Sequence, residues 1–396
     1  MGAFSVFFTQ SPSFLAHQRD MQRREGRNNA HSLFGVERIP SDPHIRNLLD
    51  PIAPKELRAP FWAILTRLSE TGFLAEYEYD GSLLLSLDGT GYFSSRQIHC
   101  QNCTVTVHEE ATYYSHTALL PALVRPGKAE VIALEPEFIT PQDGAEKQDC
   151  ERNAAKRWVT RNAPHFAGRR VTVLADDLYC NQPFCQLLLE NGLDFVLTCK
   201  PDSHQTLYEE VDGLATIGAV TEITEQVWTI HGRERRTYRY VNQVPLRADA
   251  KTLMVNWCEV TVVREANGEL LYHNAFATNL NLTAQTVQAV VAAGRARWKI
   301  ENENNNVLKN QGYNLEHNYG HGSQHLSSVL VTLLLLAFLC HTVLQLADTA
   351  YQRVRAELGT RKTFFDDIRA LTRYLYFESW ENMLDFMIAG LQRSPG

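Results

Sequence analysis

The chain has 396 residues, a formal net charge of −7, a pI near 6.1 and hydrophobic residues at 44% of its positions. This length predicts two or three domains, or one domain with insertions, and the composition is typical of a globular chain with a sizeable core. The negative charge excludes a protein coated in positive charge, such as a histone-like DNA binder. It does not exclude a nucleic-acid enzyme, because such an enzyme can hold its basic residues in one groove and its carboxylates in the site.

The start of the chain, MGAFSVFFTQSPSF, has no basic region and no long apolar stretch, so we predict no signal peptide and a cytoplasmic location. In that compartment the eight cysteines are expected to be free thiols. The apolar run VLVTLLLLAFLC at 329–340 is shorter than a bilayer requires. We therefore interpret it as a buried core helix and expect no membrane partner.

The chain divides into regions whose residue patterns predict different secondary structure. Residues 1–80 predict a helical N-terminal region that ends with an amphipathic helix running from Pro54 to Gly72. Residues 81–202 predict the first part of a mixed α/β core. Apolar runs of strand length precede Asp88 and Asp176, and other strand candidates lie at 104–109, 112–124, 129–139 and 194–202, with helices at 143–163 and 182–192.

The second half returns to this core. Residues 203–282 alternate in polarity and include an Asn267-Gly268 turn, which predicts a β-rich insertion together with return strands of the sheet. Residues 283–345 are expected to complete the core, and residues 346–396 to form C-terminal helices.

Three acidic residues are candidates for one site. Asp88 and Asp176 each follow a buried strand, and Asp177 is the alternative to Asp176. A helix is predicted over 295–317, where Arg297 stands four residues before Glu301 and therefore on the same face. Carboxylates are the ligands that Mg²⁺ or Mn²⁺ prefers, and two such ions about 4 Å apart can clamp a phosphodiester displacement. Arg297 and Lys309 are candidates to neutralise the phosphates. An ordinary ion pair on a surface helix is the alternative interpretation of Arg297 and Glu301.

The segments around these acids, LDGTGYF, LADDLY and RWKIENENNNVLK, resemble the three catalytic blocks of the DDE transposases of bacterial insertion sequences, of the insertion-sequence-four type. The resemblance covers about residues 80–345. It implies a ribonuclease H-like fold with a β-rich insertion before the glutamate, and it makes Asp88, Asp176 and Glu301 catalytic ligands of Mg²⁺ or Mn²⁺. It also implies cut-and-paste transposition of a mobile element, with DNA as partner, a homodimer on DNA, and association with the nucleoid.

Two positions depart from the family signature Y-x-x-R-x-x-x-E. Gly294 stands where the signature has tyrosine, and Trp298 is the aromatic residue that we consider as its replacement. The downstream lysine is expected seven residues after the glutamate, whereas Lys309 lies eight after Glu301. On an uninterrupted α-helix that shift turns a side chain by about 100°.

A basic strip with interleaved aromatic residues is the best additional candidate for DNA contact. Arginines bind phosphates and aromatic rings can stack on exposed bases, although a solvated hairpin is the alternative. Lys200, just past a strand, is either a DNA contact or an ordinary loop lysine. The strip comprises His231, Arg233, Arg235, Arg236 and Arg239 together with Trp228, Tyr238 and Tyr240.

Cys100 and Cys103 in the segment HCQNC have the spacing of half a zinc site. No second closely spaced pair is present, so free core cysteines and a redox pair are the alternatives. The residues considered to complete a site are His99, His108, Cys150, Cys180 and Cys185.

Three other functions compete with transposition. One is a metal-dependent DNA nuclease on the same fold that performs no strand transfer. Another is a catalytically silent, transposase-derived DNA-binding protein, against which the intact acids argue. The last is a regulatory protein stabilised by zinc at Cys100 and Cys103.

Overall fold

Two β-sheets carry the site region in the computed structural model, which describes residues 1–22, 28–141, 149–230, 232–317 and 319–392. The larger sheet has ten strands within these ranges, in the order β11-β12-β13-β14-β10-β9-β2-β6-β7, with β1 beside β2. The smaller sheet has the order β3-β5-β4, with β8 beside β5. The strands are β1 Glu78–Tyr79, β2 Ser82–Ser86, β3 Gly89–Ser95, β4 Thr104–His108, β5 Ala111–Leu119, β6 Ala122–Val124, β7 Ile132–Ala133, β8 Glu137–Ile139, β9 Val171–Ala175, β10 Asp194–Thr198, β11 Thr221–Thr229, β12 Gly232–Pro245, β13 Met254–Arg264 and β14 Leu270–Thr278.

Three parallel strands form the centre of the large sheet. Strand β9 pairs in parallel with β2 on one side and with β10 on the other. Every residue of β2 and β9 is buried, as expected for parallel strands that are covered on both faces. Antiparallel strands β6 and β14 flank this centre, and β11–β13 extend it, so residues 221–278 continue the main sheet.

The strands between Asp88 and Asp176 are divided between the two sheets. Pro121 lies between β5 and β6, and its ring nitrogen cannot donate a ladder hydrogen bond. The chain crosses there from the small sheet to the large one. The single run at 129–139 likewise becomes two short strands, β7 in the large sheet and β8 in the small one.

Helices surround the sheets and make up both terminal regions. Ser13 caps α2 by accepting a hydrogen bond from Ala16, and Gly35 ends α3 with φ +66°. The α-helices are α1 Gly2–Phe8, α2 Phe14–Met21, α3 Asn29–Phe34, α4 Asp42–Leu49, α5 Ala59–Glu70, α6 Glu151–Asn162, α7 Gln182–Glu190, α8 Gln205–Thr216, α9 Val287–Ala296, α10 Asn306–Asn310, α11 Leu326–Ala347, α12 Thr349–Leu358, α13 Arg361–Tyr374 and α14 Trp380–Leu391.

The long apolar run forms α11. By length and composition alone this helix could cross a membrane, but 67% of its most apolar 18-residue window is buried inside the fold. It packs against α1, α12 and the edge strand β7, as the prediction of a core helix required.

The mixed α/β architecture with flanking helices confirms the predicted fold class and is consistent with a ribonuclease H-like fold. The first part of the helix predicted over 143–163 lies outside the described residues, and α6 begins at Glu151.

Candidate active site

Two aspartates leave the centre of the large sheet side by side. The parallel register pairs Ser86 of β2 with Leu174 of β9, and Leu87 donates a backbone hydrogen bond to Leu174 at 2.9 Å. Asp88 and Asp176 each stand two residues further along. The carboxyl ends of parallel strands meet at one edge of a sheet, so both side chains are fixed at the same edge.

The segment that carries Glu301 packs against this edge. Arg297 is buried and donates a hydrogen bond from Nη1 to Oε1 of Glu301 at 2.6 Å. The hydroxyl of Ser86 lies 3.5 Å from the carbonyl oxygen of Arg297, which brings the end of β2 and the end of α9 together. Asn305, from the Asn-rich run, donates a hydrogen bond to Oδ2 of Asp88 at 2.6 Å.

A fourth carboxylate, Glu151 at the start of α6, belongs to the same cluster. Its Oε1 accepts hydrogen bonds from the backbone N–H of Gly89 at 3.0 Å and from the Tyr179 hydroxyl at 2.6 Å. A Cβ at position 89 would lie 2.2 Å from Glu151, so this approach requires glycine. Sequence reasoning missed Glu151, and the only signal for it is the glycine directly after Asp88.

The cluster carries more negative than positive charge. The pKa of Asp88 is raised to about 7 by burial, the largest cause, and by the charges of Glu151, Glu301 and Asp176, against the opposing charge of Arg297. Burial also raises the pKa of Asp176, against the Leu178 N–H and the positive charges of Arg297 and Lys200. The raised pKa of Asp88 therefore reflects burial together with the negative charge of the neighbouring acids.

The carboxylates of Asp176 and Asp177 contact different parts of the structure. Oδ1 of Asp176 accepts one hydrogen bond from the Leu178 N–H at 3.0 Å. Oδ1 of Asp177 accepts a hydrogen bond from the Lys200 N–H at 2.7 Å and lies 3.3 Å from Nε2 of His204. Asp177 therefore joins the ends of β9 and β10, which favours Asp176 as the acid of the site.

The predicted helix over 295–317 contains a π-helix at Ile300–Asn305, between α9 and α10. A π-turn closes its hydrogen bonds over one residue more than an α-turn, so it accommodates one extra residue without rotating the helix that follows. The assumption of an uninterrupted α-helix was wrong. Lys309 lies on α10, eight residues after Glu301. Because the π-helix absorbs one residue, we infer that Lys309 faces the direction that the seventh residue after Glu301 would face on a regular α-helix. Its Nζ pairs with Glu316 at 2.9 Å.

Gly294 lies on helix α9, and a side chain from a strand occupies the space that a tyrosine at this position would need. A Cβ on Gly294 would lie 2.6 Å from the ring of Phe276, which comes from β14. A tyrosine therefore does not fit there in this packing. Trp298 is 47% exposed, and the guanidinium of Arg297 lies 5.2 Å from its ring centroid, so it is an accessible aromatic beside the acids.

The hairpin of β11 and β12 carries the basic strip, apart from His231, which lies outside the described residues. Three of the arginines are ion-paired: Arg233 with Glu265 at 2.9 Å, Arg236 with Glu234 at 2.9 Å and Arg239 with Glu259 at 3.0 Å. Arg235 is exposed and has no ion pair within the described part of the chain.

The aromatic residues of the strip are divided. Tyr238 is buried and donates a hydrogen bond to Glu225 at 2.7 Å, so the base-stacking role predicted for it does not fit the structure. Tyr240 is also buried, whereas Trp228 is 78% exposed. Lys200 is exposed, and its charge reaches Asp176, which places it beside the acids.

The three acids are the residues that could hold a metal here. They are not among the groups of described residues whose potential ligand atoms all lie within 4.8 Å of one another. Because Arg297 holds the Glu301 carboxylate, a cation shared by all three requires a change of side-chain rotamer.

Comparison with known proteins gives one family. The model of the transposase DDE domain matches residues 139–339, which is 201 of 396 residues, and this range contains Asp176 and Glu301 while Asp88 precedes it. No curated protein matches the chain. The match spans half of the sequence, and the chain belongs to the family of transposases with a DDE domain.

Proposed function

We propose that this transposase cleaves phosphodiester bonds at the ends of its mobile element and joins the freed 3′-hydroxyl groups to target DNA. The observation that carries the proposal is the cluster of Asp88, Asp176 and Glu301 at one edge of the sheet, with its excess of negative charge. Bacterial elements of the insertion-sequence-four type are the class that we propose for it.

The residues fit Mg²⁺ or Mn²⁺, because the donors are carboxylates and because neighbouring acids help to raise the pKa of Asp88, which a bound cation would offset. Asp88, Asp176 and Glu301 would hold the ions. When bound, these ions supply Lewis acidity to the attacking hydroxyl and the leaving oxygen. The 2.6 Å hydrogen bond from Asn305 orients the Asp88 carboxylate for that task.

Cationic side chains provide the phosphate contacts in this proposal. Arg297 forms an ion pair with Glu301, which leaves its remaining N–H groups for a phosphate oxygen. Lys200 lies at the same edge and is exposed. Arg235 and Trp228 extend the DNA surface along the hairpin, and Lys309 extends it beyond the π-helix. Since two element ends must be brought together, we propose that a homodimer binds the DNA.

The test uses a plasmid that carries the element's ends, a target plasmid, and purified protein with Mg²⁺ or with chelator. We expect Mg²⁺-dependent cleavage at the ends and joined products. Glu301→Gln should reduce both reactions by at least about 10³-fold, because a ligand of the reacting site is lost. Glu303→Gln, two residues along the same π-helix, is the matched control and should retain activity.

The products distinguish the competing functions. Cleaved ends without joined products would indicate a nuclease and contradict strand transfer. Specific binding of the ends without any Mg²⁺-dependent product would indicate a silent DNA-binding protein. Equal activity of Glu301→Gln and the wild type would remove the proposed catalytic role of Glu301.

A further inference from the structure

Four metal-binding side chains converge at a place that the DNA chemistry does not use. Cys100 and Cys103 lie in the loop between β3 and β4, His116 lies on β5, and His321 lies in the segment before α11. Their ligand atoms all lie within 4.8 Å of one another. Cys103, His116 and His321 are buried, and Cys100 is partly buried.

Four of the six distances between the ligand atoms match a tetrahedral zinc site. The two Sγ atoms are 3.9 Å apart, and Nε2 of His116 lies 3.5 Å from each of them. Nε2 of His321 lies 3.5 Å from Sγ of Cys103. With Zn–S bonds of about 2.3 Å and Zn–N bonds of about 2.0–2.1 Å, a regular tetrahedron has S···S edges of about 3.8 Å and S···N edges of about 3.5–3.6 Å.

We propose that Cys100, Cys103, His116 and His321 bind one zinc ion as a closed structural site. Four protein ligands leave no open position, which is the arrangement of structural rather than catalytic zinc. Burying two thiols and two imidazoles together costs free energy, and an ion bound by all four would offset more of that cost than their contacts with one another do.

The site would join parts of the chain that are far apart in sequence. His321 follows Cys103 by 218 residues. Strand β3, which leads to the cysteine loop, begins directly after Asp88, and the segment with His321 follows the Glu301 helix. The hydrogen bond from Asn102 to the Gln324 carbonyl, at 2.6 Å, joins the same two segments. The ion would therefore fix the two flanks of the active site relative to each other, independently of whether the DNA chemistry is as proposed.

The residues considered from the sequence do not complete this site. His99 stacks on Tyr114, with ring centroids 4.5 Å apart, and Cys150 is exposed. Cys180 forms a different group with Cys199 and His204. His116 and His321 were missed because a strand and a distant segment bring them to the cysteines, and local spacing does not reveal such contacts.

The first experiment measures zinc in protein purified without added metal. We expect about one zinc per chain, lost in Cys103→Ser and in His321→Gln but retained in Cys258→Ser, which removes another buried cysteine. His321→Cys should keep the zinc, so a loss in His321→Gln cannot be attributed to disturbed packing alone. A Cys180→Ser variant tests the second cysteine group and should also retain the metal.

The second experiment replaces zinc with Co²⁺ and records its visible spectrum. We expect the visible bands of tetrahedral cobalt together with thiolate-to-cobalt charge-transfer bands. In cobalt-loaded Cys100→Ser, which keeps one thiolate, the intensity of the charge-transfer bands should fall to about half. Zinc that survives Cys103→Ser, or that Cys180→Ser removes instead, would overturn the proposal. So would folded protein that binds no zinc at saturation, or that holds Cys100 and Cys103 as a disulfide.

Discussion

Two carboxylate clusters share helix α6 but differ in how their charge is balanced. In the first cluster three acids face three arginines, namely Glu135, Glu137 and Asp149 against Arg58, Arg157 and Arg161. The second contains four acids, namely Asp88, Glu151, Asp176 and Glu301, and within the described residues Arg297 is the arginine that acts on Asp88, Asp176 and Glu301. The first cluster joins the N-terminal helices to the core through buried ion pairs. The second has fewer positive charges than acids, which agrees with the proposed cation site, whereas the balanced charges of the first serve stability.

The largest effect on DNA cleavage is expected from Asp176, whose neighbour Asp177 has a different role. Asp176→Asn should reduce DNA cleavage by at least about 10³-fold with little change in melting temperature, because its carboxylate faces the site. Asp177→Ala should instead lower the free energy of unfolding by about 1–3 kcal/mol, because it leaves the Lys200 N–H without its acceptor. Cleavage rates and denaturant unfolding of both variants measure the difference. The reverse pattern would make Asp177 the second acid.

Stability should change in opposite directions in the two clusters. The folded-state pKa of Asp88 is raised from 3.8 to about 7, so in metal-free protein its contribution to stability falls as pH rises from about 4 to about 7. Asp88→Asn should therefore be more stable than the wild type at pH 8 in chelator, by about 1.4 kcal/mol for each pKa unit that is relieved.

Glu135→Gln should do the opposite. Glu135 accepts hydrogen bonds from Trp62 at 2.9 Å and Asn162 at 3.0 Å and pairs with Arg161 at 3.0 Å. The variant should lose about 2 kcal/mol or more of unfolding free energy at pH 8, because three arginines then face two buried acids instead of three. Thermal unfolding in chelator compares the two variants. Destabilisation of both would mean that the Asp88 cluster is also a structural one.

A smaller effect is expected from Glu151, which raises the pKa of Asp88. Glu151→Gln retains a carbonyl acceptor for the Gly89 N–H and the Tyr179 hydroxyl but removes the charge. The acid limb of the pH–rate profile should move to lower pH by on the order of one unit, since Asp88 ionises more readily. Glu190→Gln at the exposed end of α7 is the control. An unmoved limb would show that Asp88 does not set this pH dependence.

The smallest effect is expected on DNA binding, from a comparison of an arginine that has an ion pair with one that has none. Arg235 lacks an ion pair in the described part of the chain, whereas Arg236 pairs with Glu234 at 2.9 Å. Arg235→Ala should weaken DNA binding a few-fold and reduce the salt slope by about one. Arg236→Ala should change both less. Binding titrations at several salt concentrations measure this, and equal losses would mean that ion pairing does not determine which arginines contact DNA.

The sequence predicted those parts of the fold and site that depend on local patterns. Apolar runs that end in Asp88 and Asp176 indicated buried strands, and the parallel register places the two acids together. The spacing of Arg297 and Glu301 predicted that they share one face, and the structure shows between them the ion pair that was the alternative interpretation. The alternation of β12 also separates Arg233 and Arg235 from Tyr238 on opposite faces, so the burial of Tyr238 could have been inferred from period-two geometry.

The remaining features depend on contacts that a linear pattern does not contain. Glu151 looks like any acidic residue in the first turn of a charged helix until Gly89 is seen beside it. The π-helix follows from how its segment packs, so the Lys309 register could not be interpreted from residue counting. Phe276 fills the place of the signature tyrosine from β14, the preceding strand, and helix periodicity does not reveal that contact.

The most direct test of the central claim, that the Asp88 cluster binds divalent cations, replaces Mg²⁺ with Fe²⁺ and maps where the resulting hydroxyl radicals cut the polypeptide. The cuts are predicted near residues 88, 176 and 301, suppressed by excess Mg²⁺ and lost in Asp88→Asn, while Glu135→Gln retains them. Cuts that avoid these three positions, or that persist in Asp88→Asn, would contradict the assignment of the acids to one cation site.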